Sequence, residues 1–194
     1  MIYIGDKRVT DIYLGAVKLR EVYLGAVRVF SSAPVTDVLF DNGFVSGVDW
    51  AGNILRRPNY TSTAIVSFDN VASDGYMEIR NTGGGSASLQ YNAHVCTSNP
   101  VVIPATARRL CVDLSRSPNA CYLKFGMLSD NYADAMSADG GFMSPLLSPS
   151  YGRATYTVDL PDGFAGSGIY RPVINMRVAG DKYAHIDIYK VYFE

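Results

Sequence analysis

Residues that build cross-linked or catalytic sites are scarce in this chain of 194 residues. Its only cysteines are Cys96, Cys111 and Cys121. Their odd number and wide spacing indicate neither a disulfide framework nor a zinc site, so we predict free, buried thiols. The only histidines are His94 and His185. Because no Gly-x-Ser-x-Gly elbow or paired-histidine motif accompanies them, we predict that the protein is not an enzyme.

The sequence also has little net charge, no long apolar run and few glutamates. The formal net charge of −1 provides no basic field for a nucleic-acid backbone, so nucleic acid is not a predicted partner. No run of 18 apolar residues occurs, which predicts no membrane-spanning helix. The first residues lack the pattern of a secretion signal. With only three glutamates, a glycosidase pair would have to be built mostly from aspartate.

One segment is locally rich in carboxylates. Asp130, Asp134 and Asp139 lie close together in the sequence, and oxygen ligands of this kind bind hard cations such as calcium. Their spacing differs from that of an EF-hand loop. We therefore interpret the segment as a solvated acidic loop and predict no metal and no cofactor.

What the sequence does contain favours β-structure. It has 18 glycines, 14 tyrosines and 48% hydrophobic residues, with few strong helix formers. β-Branched and aromatic residues are typical of strands, and glycine is typical of the turns between them. No useful stretch has the periodicity of a helix. The composition therefore predicts an all-β protein.

The first thirty residues are one decapeptide written three times. The motif Ile-Tyr-Ile-Gly at 2–5 recurs as Ile-Tyr-Leu-Gly at 12–15 and as Val-Tyr-Leu-Gly at 22–25, with a basic residue three places after each glycine. We predict strands over 8–14 and 18–24, a third from residue 28, and turns at the glycines. Three such strands bury too little surface to be stable alone, so the segment must dock on something else.

This repeat resembles the tandem tyrosine–leucine–glycine decapeptides with which several tailed-bacteriophage virion proteins begin, ahead of a β-rich domain. Only Gly5-Asp6 matches the Gly-Asp or Gly-Asn turn that is common in those repeats; Gly15-Ala16 and Gly25-Ala26 depart from it. The resemblance implies an anchoring segment that assembles with other virion proteins. The residues that carry it are Tyr3, Gly5, Tyr13, Gly15, Tyr23 and Gly25.

The rest of the chain is predicted to be a two-sheet β-sandwich. A small, polar joint, Ser31-Ser32-Ala33-Pro34, separates a repeat segment over 1–33 from one domain over 34–194. Short alternating strands follow with frequent turn signals, as in sandwiches and jelly rolls. The predicted strands are 37–40, 64–68, 76–80, 86–91, 101–103, 109–114, 121–128, 154–160, 173–178 and 184–193.

The last strand changes its apolar phase. Ile186 and Ile188 define one face, whereas Val191 and Phe193 define the other. A β-bulge near Tyr189-Lys190 would restore a single inward face. The alternative is a strand that is buried on both sides.

The layout of the domain is similar to that of carbohydrate-binding-module jelly rolls. These tend to open with a Phe-Asp-Asn-Gly-like turn, here at 40–43, and to close with an aromatic-rich strand, here at 188–193. The resemblance is one of pattern and has no diagnostic motif. It implies the fold more than the activity.

Two long segments, 48–63 and 129–152, are the predicted ligand-binding loops. Sugar recognition uses an aromatic platform with amides, carboxylates or arginine beside it, and binding residues concentrate in loops. The alternative for Trp50 is that it packs in the core, and the alternative for Arg57, with Arg56, is a solvated or intersubunit pair. The candidate residues are Trp50, Asn53, Arg57, Tyr60, Asp130 and Tyr132.

Together these features predict a non-enzymatic structural protein of a phage virion, made in the host cytoplasm. The repeats would anchor it as a fibre, decoration protein or adhesin, and the sandwich would be displayed toward host-surface glycan. A homotrimer is expected, because such spikes are commonly threefold and short β-repeats gain stability from sister chains. The alternative is a stand-alone carbohydrate-binding module.

Overall fold

The protein is described here by a computed structural model. It describes residues 37–52, 64–68, 71, 73–83, 90–117, 119, 121–129, 141–166, 170–179 and 182–194, and the backbone of 3–4, 7–8, 12–14, 17–19, 21–24 and 27–31. Within these ranges the extended elements are β-strands; Val71 lies in a 3₁₀ turn, and there is no α-helix. No helix in the described part is long and apolar enough to cross a membrane.

The chain divides into two compact units, Met1–Pro34 and Val35–Glu194. The first unit contains three separate two-stranded antiparallel hairpins, one for each copy of the decapeptide. Their strands are β1 (Tyr3–Ile4) with β2 (Lys7–Arg8), β3 (Ile12–Leu14) with β4 (Val17–Leu19), and β5 (Glu21–Leu24) with β6 (Val27–Ser31).

Each hairpin places its tyrosine opposite the basic residue of the same copy. The Cα partners are Tyr3 with Arg8, Tyr13 with Lys18 and Tyr23 with Arg28. The predicted strands over 8–14 and 18–24 would have joined consecutive copies into one sheet. Instead, β2 pairs with β1 and β3 pairs with β4, because a two-residue connection favours the local pairing.

The second unit contains eleven strands among the described residues. In chain order they are β7 (Val38–Asp41), β8 (Trp50–Gly52), β9 (Ala64–Ser67), β10 (Met77–Thr82), β11 (Gln90–Thr97), β12 (Arg109–Arg116), β13 (Tyr122–Ser129), β14 (Phe142–Met143), β15 (Ala154–Asp159), β16 (Tyr170–Ala179) and β17 (Tyr183–Phe193).

These strands form two antiparallel sheets, as predicted for a jelly-roll sandwich. Sheet I has the order β15-β12-β17-β10-β9, and β7 pairs with the C-terminal part of β17. Sheet II has the order β14-β13-β16-β11-β8. Every second residue of the long strands faces the core between the sheets, so the intervening residues form two outer faces.

The core is built from the alternating residues that the sequence indicated. In β12, Leu110, Val112 and Leu114 are fully buried, and Arg109 at the start of the strand is exposed. In β13 the buried residues of the same cluster are Leu123, Phe125 and Met127. The central strand of each sheet also contributes to this core. The residues are Ile186, Ile188, Val191 and Phe193 of β17, and Ile174, Met176 and Val178 of β16.

The predicted β-bulge in the last strand is confirmed. Along β12, Asp113 pairs with Lys190 whereas the next residue pairs with Ile188, so Tyr189 is the extra residue. The insertion shifts the side-chain alternation by one position. Residues on both sides of the bulge therefore reach the same core: Ile186, Ile188, Val191 and Phe193 are all buried.

Several strand predictions need correction. Of the predicted strand 86–91, residues 86–89 lie outside the described residues, and 90–91 belong to β11, which continues to Thr97. The segment 101–103 is not a strand; Val101 makes only an isolated bridge to Tyr170. Two short strands were missed, β8 and β14, because each lies in a segment rich in glycine, polar or small residues that was interpreted as a loop.

Candidate functional site

The two outer faces differ in how their charged residues are used. On sheet I, three ion pairs form between exposed or half-buried side chains. The pairs are Arg153 with Asp113 at 2.6 Å, Lys190 with Asp41 at 2.7 Å and Arg109 with Asp159 at 2.9 Å. A ligand that used these groups would first have to break existing ion pairs.

The aromatic residues of sheet I are also engaged within the face. Tyr189 lies 5.6 Å from Tyr76 between ring centroids, and the guanidinium carbon of Arg153 lies 4.2 Å above the Tyr189 ring. The hydroxyl groups of Tyr189 and Ser115 are 3.3 Å apart. This part of the face is a self-contained network of rings and polar groups.

The outer face of sheet II presents a grid of polar residues from three strands. In one row of the grid, Arg177 of β16 is the Cα partner of Tyr122 on β13 and of Asn92 on β11. In the next row, Asn175 is the partner of Lys124 and of His94. Side chains at such positions lie about 4.5–5.5 Å apart at Cβ. We call these six residues the basic patch: Asn92, His94, Tyr122, Lys124, Asn175 and Arg177.

The basic patch contains cations without matching carboxylates. Lys124 and Arg177 form no ion pair with a residue in the described ranges, and the outward positions of β11, β13 and β16 in those ranges contain no Asp or Glu. Since the whole chain has a net charge of −1, this positive charge is local. A surface with uncompensated cations attracts anionic ligands.

Asn175 occupies the centre of the patch and is only 1% exposed. Among the described residues, neither Oδ1 nor Nδ2 of its side-chain amide has a hydrogen-bond partner, and neither does the buried Oδ1 of Asn92 in the adjacent row. Leaving a buried amide unpaired costs about 1–3 kcal/mol per group, so native proteins rarely retain one without a reason. A ligand that reached the amide after rotation of the neighbouring side chains would supply a donor and an acceptor and remove this cost.

Beside the patch, the same face becomes apolar. Cys96, Leu128 and Val173 form a fully buried cluster with Met143 packed against it. Burial raises the pKa of the Cys96 thiol to about 12, with Arg171 acting in the opposite direction. The cysteine is therefore a protonated packing residue rather than a nucleophile.

Trp50, the aromatic platform predicted from the sequence, is a core residue. It lies in β8, at the edge of sheet II, and is 8% exposed. Its Nε1–H donates a hydrogen bond to the backbone oxygen of Leu39 over 3.0 Å. The ligand-binding prediction for Trp50 is corrected, and the alternative of core packing is the one observed.

The other predicted ligand-binding residues, Asn53, Arg57, Tyr60, Asp130 and Tyr132, lie outside the described residues, as do Gly5, Gly15 and Gly25 of the repeat. Their roles stay predictions. The basic patch was not predicted from the sequence. Lys124, Asn175 and Arg177 alternate there with the apolar core residues of β13 and β16, and this alternation indicates a polar outer face.

Comparison with solved structures finds several chains that are similar in fold. The glycoside hydrolase domain of Endo-D from Streptococcus pneumoniae R6 matches with a TM-score of 0.50 and 13% identity, over 76% of this chain and 22% of that chain. A family 29 carbohydrate-binding module matches with a TM-score of 0.45 and 20% identity, over 81% and 89% of the two chains.

A family 11 carbohydrate-binding module from Clostridium thermocellum matches with a TM-score of 0.45 and 13% identity, over 83% of this chain and 96% of that chain. No protein-family model matches the sequence, and no curated protein is similar to it. At these identities the similarity concerns the fold, an antiparallel two-sheet jelly roll.

Proposed function

We propose that the sandwich binds an acidic glycan through the basic patch on sheet II. The observation that carries this proposal is the buried, unpartnered amide of Asn175 between Lys124 and His94. An amide offers two donors and two acceptor sites, and this combination matches adjacent sugar hydroxyl groups.

The neighbouring residues have complementary roles in this proposal. Tyr122, which is 46% exposed, offers a ring on which the apolar face of a pyranose can stack. Arg177, the cross-strand partner of Tyr122, reaches a carboxylate or sulfate group of the sugar in a bidentate manner. Lys124 adds a second positive charge on the other side of Asn175. Acidic sugars are favoured over neutral ones because the patch contains cations and no carboxylate.

The test is glycan-array binding of the full chain, with neutral, uronic, sialylated and sulfated glycans, followed by calorimetry on the strongest ligand. Arg177→Ala should raise Kd about 10- to 100-fold, which corresponds to the roughly 1.5–3 kcal/mol of a charge-assisted hydrogen bond. Arg109→Ala is the matched control, because Arg109 lies on a strand of sheet I and pairs with Asp159. The Kd of the Arg109→Ala variant should equal that of the wild type.

Three outcomes would contradict the proposal. Binding of neutral glycans alone would remove the role of the cations. An equal loss of affinity in the two arginine variants would indicate a general charge effect. Binding by the wild type that Arg177→Ala leaves unchanged would place the site elsewhere, including in the segments 48–63 and 129–152 predicted from the sequence.

We further propose that the three hairpins anchor this module in a larger assembly, as the resemblance to phage virion proteins suggests, with a homotrimer as the assembling unit. The support is physical: isolated two-stranded hairpins are marginally stable in water, so they gain stability from packing on other chains. Replacing Tyr13 and Tyr23 together with Ser should weaken self-association by a few kcal/mol, since aromatic burial supplies much of a small interface's free energy.

Sedimentation velocity measures this effect, and near-UV circular dichroism checks that the sandwich remains folded. The same experiment distinguishes the alternative of a stand-alone carbohydrate-binding module. If deletion of residues 1–33 changes neither the oligomeric state nor glycan affinity, the hairpins are not an anchor and the stand-alone module is favoured. If the double variant dissociates while its glycan affinity is retained, anchoring and binding are separate functions of the two units.

A further inference from the structure

Three metal-ligating side chains from two strands converge on the outer face of sheet I. Glu78 of β10 is the Cα partner of Asp187 on β17. His185 lies two residues before Asp187 on the same strand, and therefore on the same face. One ligand atom from each of the three side chains lies within 4.8 Å of the other two. The arrangement combines an imidazole nitrogen with two carboxylates.

The cluster has unused polar atoms. Oδ2 of Asp187 lies 3.4 Å from the hydroxyl of Ser115 and 3.6 Å from Nε2 of His185. Its other oxygen, Oδ1, is buried and has no hydrogen-bond partner in the described part of the chain, and the same is true of Nδ1 of His185. Ser115 therefore holds one carboxylate oxygen in place while the second remains available to a ligand.

The cluster is also short of positive charge. The side chains of Glu78 and Asp187 are 8% and 14% exposed, so their charges are poorly screened by water. Arg80 lies 3.3 Å from Glu78 Oε1, which compensates one carboxylate. Two neighbouring carboxylates in such an environment are stabilised by a bound cation.

We propose that Glu78, His185 and Asp187 bind a first-row divalent transition metal, zinc in particular, with the open positions filled by water or an external ligand. A mixed nitrogen and oxygen set suits zinc better than calcium or magnesium, which take oxygen ligands. Zinc ligands lie about 2.0–2.2 Å from the metal, so its donors are up to about 4 Å apart and small side-chain rotations close the present spacing. The site is on the opposite sheet from the basic patch and does not depend on glycan binding.

The test uses the full chain without a histidine tag, stripped with EDTA and then titrated with zinc, cobalt or calcium chloride. Zinc should raise Tm by about 5–10 °C at a concentration 100-fold above its Kd. Cobalt should give a visible spectrum without the thiolate charge-transfer band, because none of the three ligands is a cysteine. Asp187→Asn and His185→Gln should each weaken zinc binding at least 10-fold.

Asp159→Asn is the control, because Asp159 is an exposed carboxylate of the same sheet that pairs with Arg109. It should bind zinc like the wild type. If Asp187→Asn does not fold, Glu78→Gln provides the same test. The proposal is overturned if zinc binds none of the folded proteins, if zinc binds wild type and both ligand variants equally, or if calcium binds more tightly than zinc.

Discussion

The guanidinium group of Arg153 donates two hydrogen bonds to Oδ2 of Asp113, over 2.9 and 2.6 Å, while its carbon lies 4.2 Å above the ring of Tyr189. One arginine thereby connects the strand β12 with the bulge residue of β17. The positive charge of Arg153 is therefore already paired with the carboxylate of Asp113. This distinguishes the face of sheet I from the basic patch, where Lys124 and Arg177 have no such partner in the described part of the chain.

Arg153→Ala should therefore reduce stability and leave glycan affinity unchanged. We expect a loss of about 1–2 kcal/mol, from an exposed ion pair and a cation–π contact, which lowers Tm by roughly 2–8 °C. Arg108→Ala is the control, because within the described residues the exposed side chain of Arg108 donates a hydrogen bond only to the backbone oxygen of Ala107. Thermal unfolding checks the prediction; an unchanged Tm in Arg153→Ala would contradict it.

Trp50→Phe should destabilise the sandwich. The substitution removes the hydrogen bond to the backbone oxygen of Leu39 and leaves that buried acceptor unpaired, at a cost of about 1–3 kcal/mol. Tyr122→Phe removes a polar atom from an exposed ring and should have no measurable effect on unfolding. Urea denaturation compares the two; equal midpoints would show that Trp50 is not held in the core.

The three cysteines should be inert in the folded protein. All are free and buried, and burial is the main cause that raises the pKa of Cys96 to about 12 and the pKa of Cys111 and Cys121 to about 11. An aromatic disulfide reagent at pH 8 should react only after denaturation, and then with all three thiols. Reductant should leave Tm unchanged, whereas a large drop would reveal a disulfide.

The pair of Asp41 and Lys190 should make stability depend on pH at the edge of sheet I. The hydrogen bond from Lys190 is the main cause that lowers the pKa of Asp41 below its ordinary value of 3.8. Because the folded pKa is depressed, the contribution is fully present above pH 3.8 and is lost as pH falls through the folded pKa.

Asp41→Asn should thus lower stability at pH 7, by roughly 0.2–1 kcal/mol for a solvent-exposed pair. The difference in urea midpoint between the variant and the wild type should shrink as pH falls through the folded pKa of Asp41. A difference that stays constant as pH falls would assign the effect to packing or to the neighbouring Asn42, rather than to the charge.

The sequence was sufficient for the features that depend on local pattern. Alternation along the strand identified Leu110, Val112 and Leu114 as core residues, and the phase change after Ile188 predicted the bulge at Tyr189. These predictions succeed because the side-chain period of a strand is fixed by its backbone. The free thiols followed from the number and spacing of the cysteines alone.

The functional faces could not be predicted, because they depend on which strands become neighbours. Asn92, Lys124 and Arg177 come from three strands that are far apart in the sequence and adjacent only in sheet II. Glu78 and Asp187 are likewise brought together by the pairing of β10 with β17. Trp50 was assigned to a binding loop because short edge strands such as β8 have too few residues to show an alternation.

The most direct test of the account is a nuclear magnetic resonance titration of the full chain with the acidic glycan that binds best on the array. We predict that the largest chemical-shift changes of backbone and side-chain amides occur at residues 92–94, 122–124 and 175–177. The side-chain amide of Asn175 should be among them. Shifts that concentrate on β12, β15 and β17 of sheet I, with the amide of Asn175 unmoved at saturation, would contradict it.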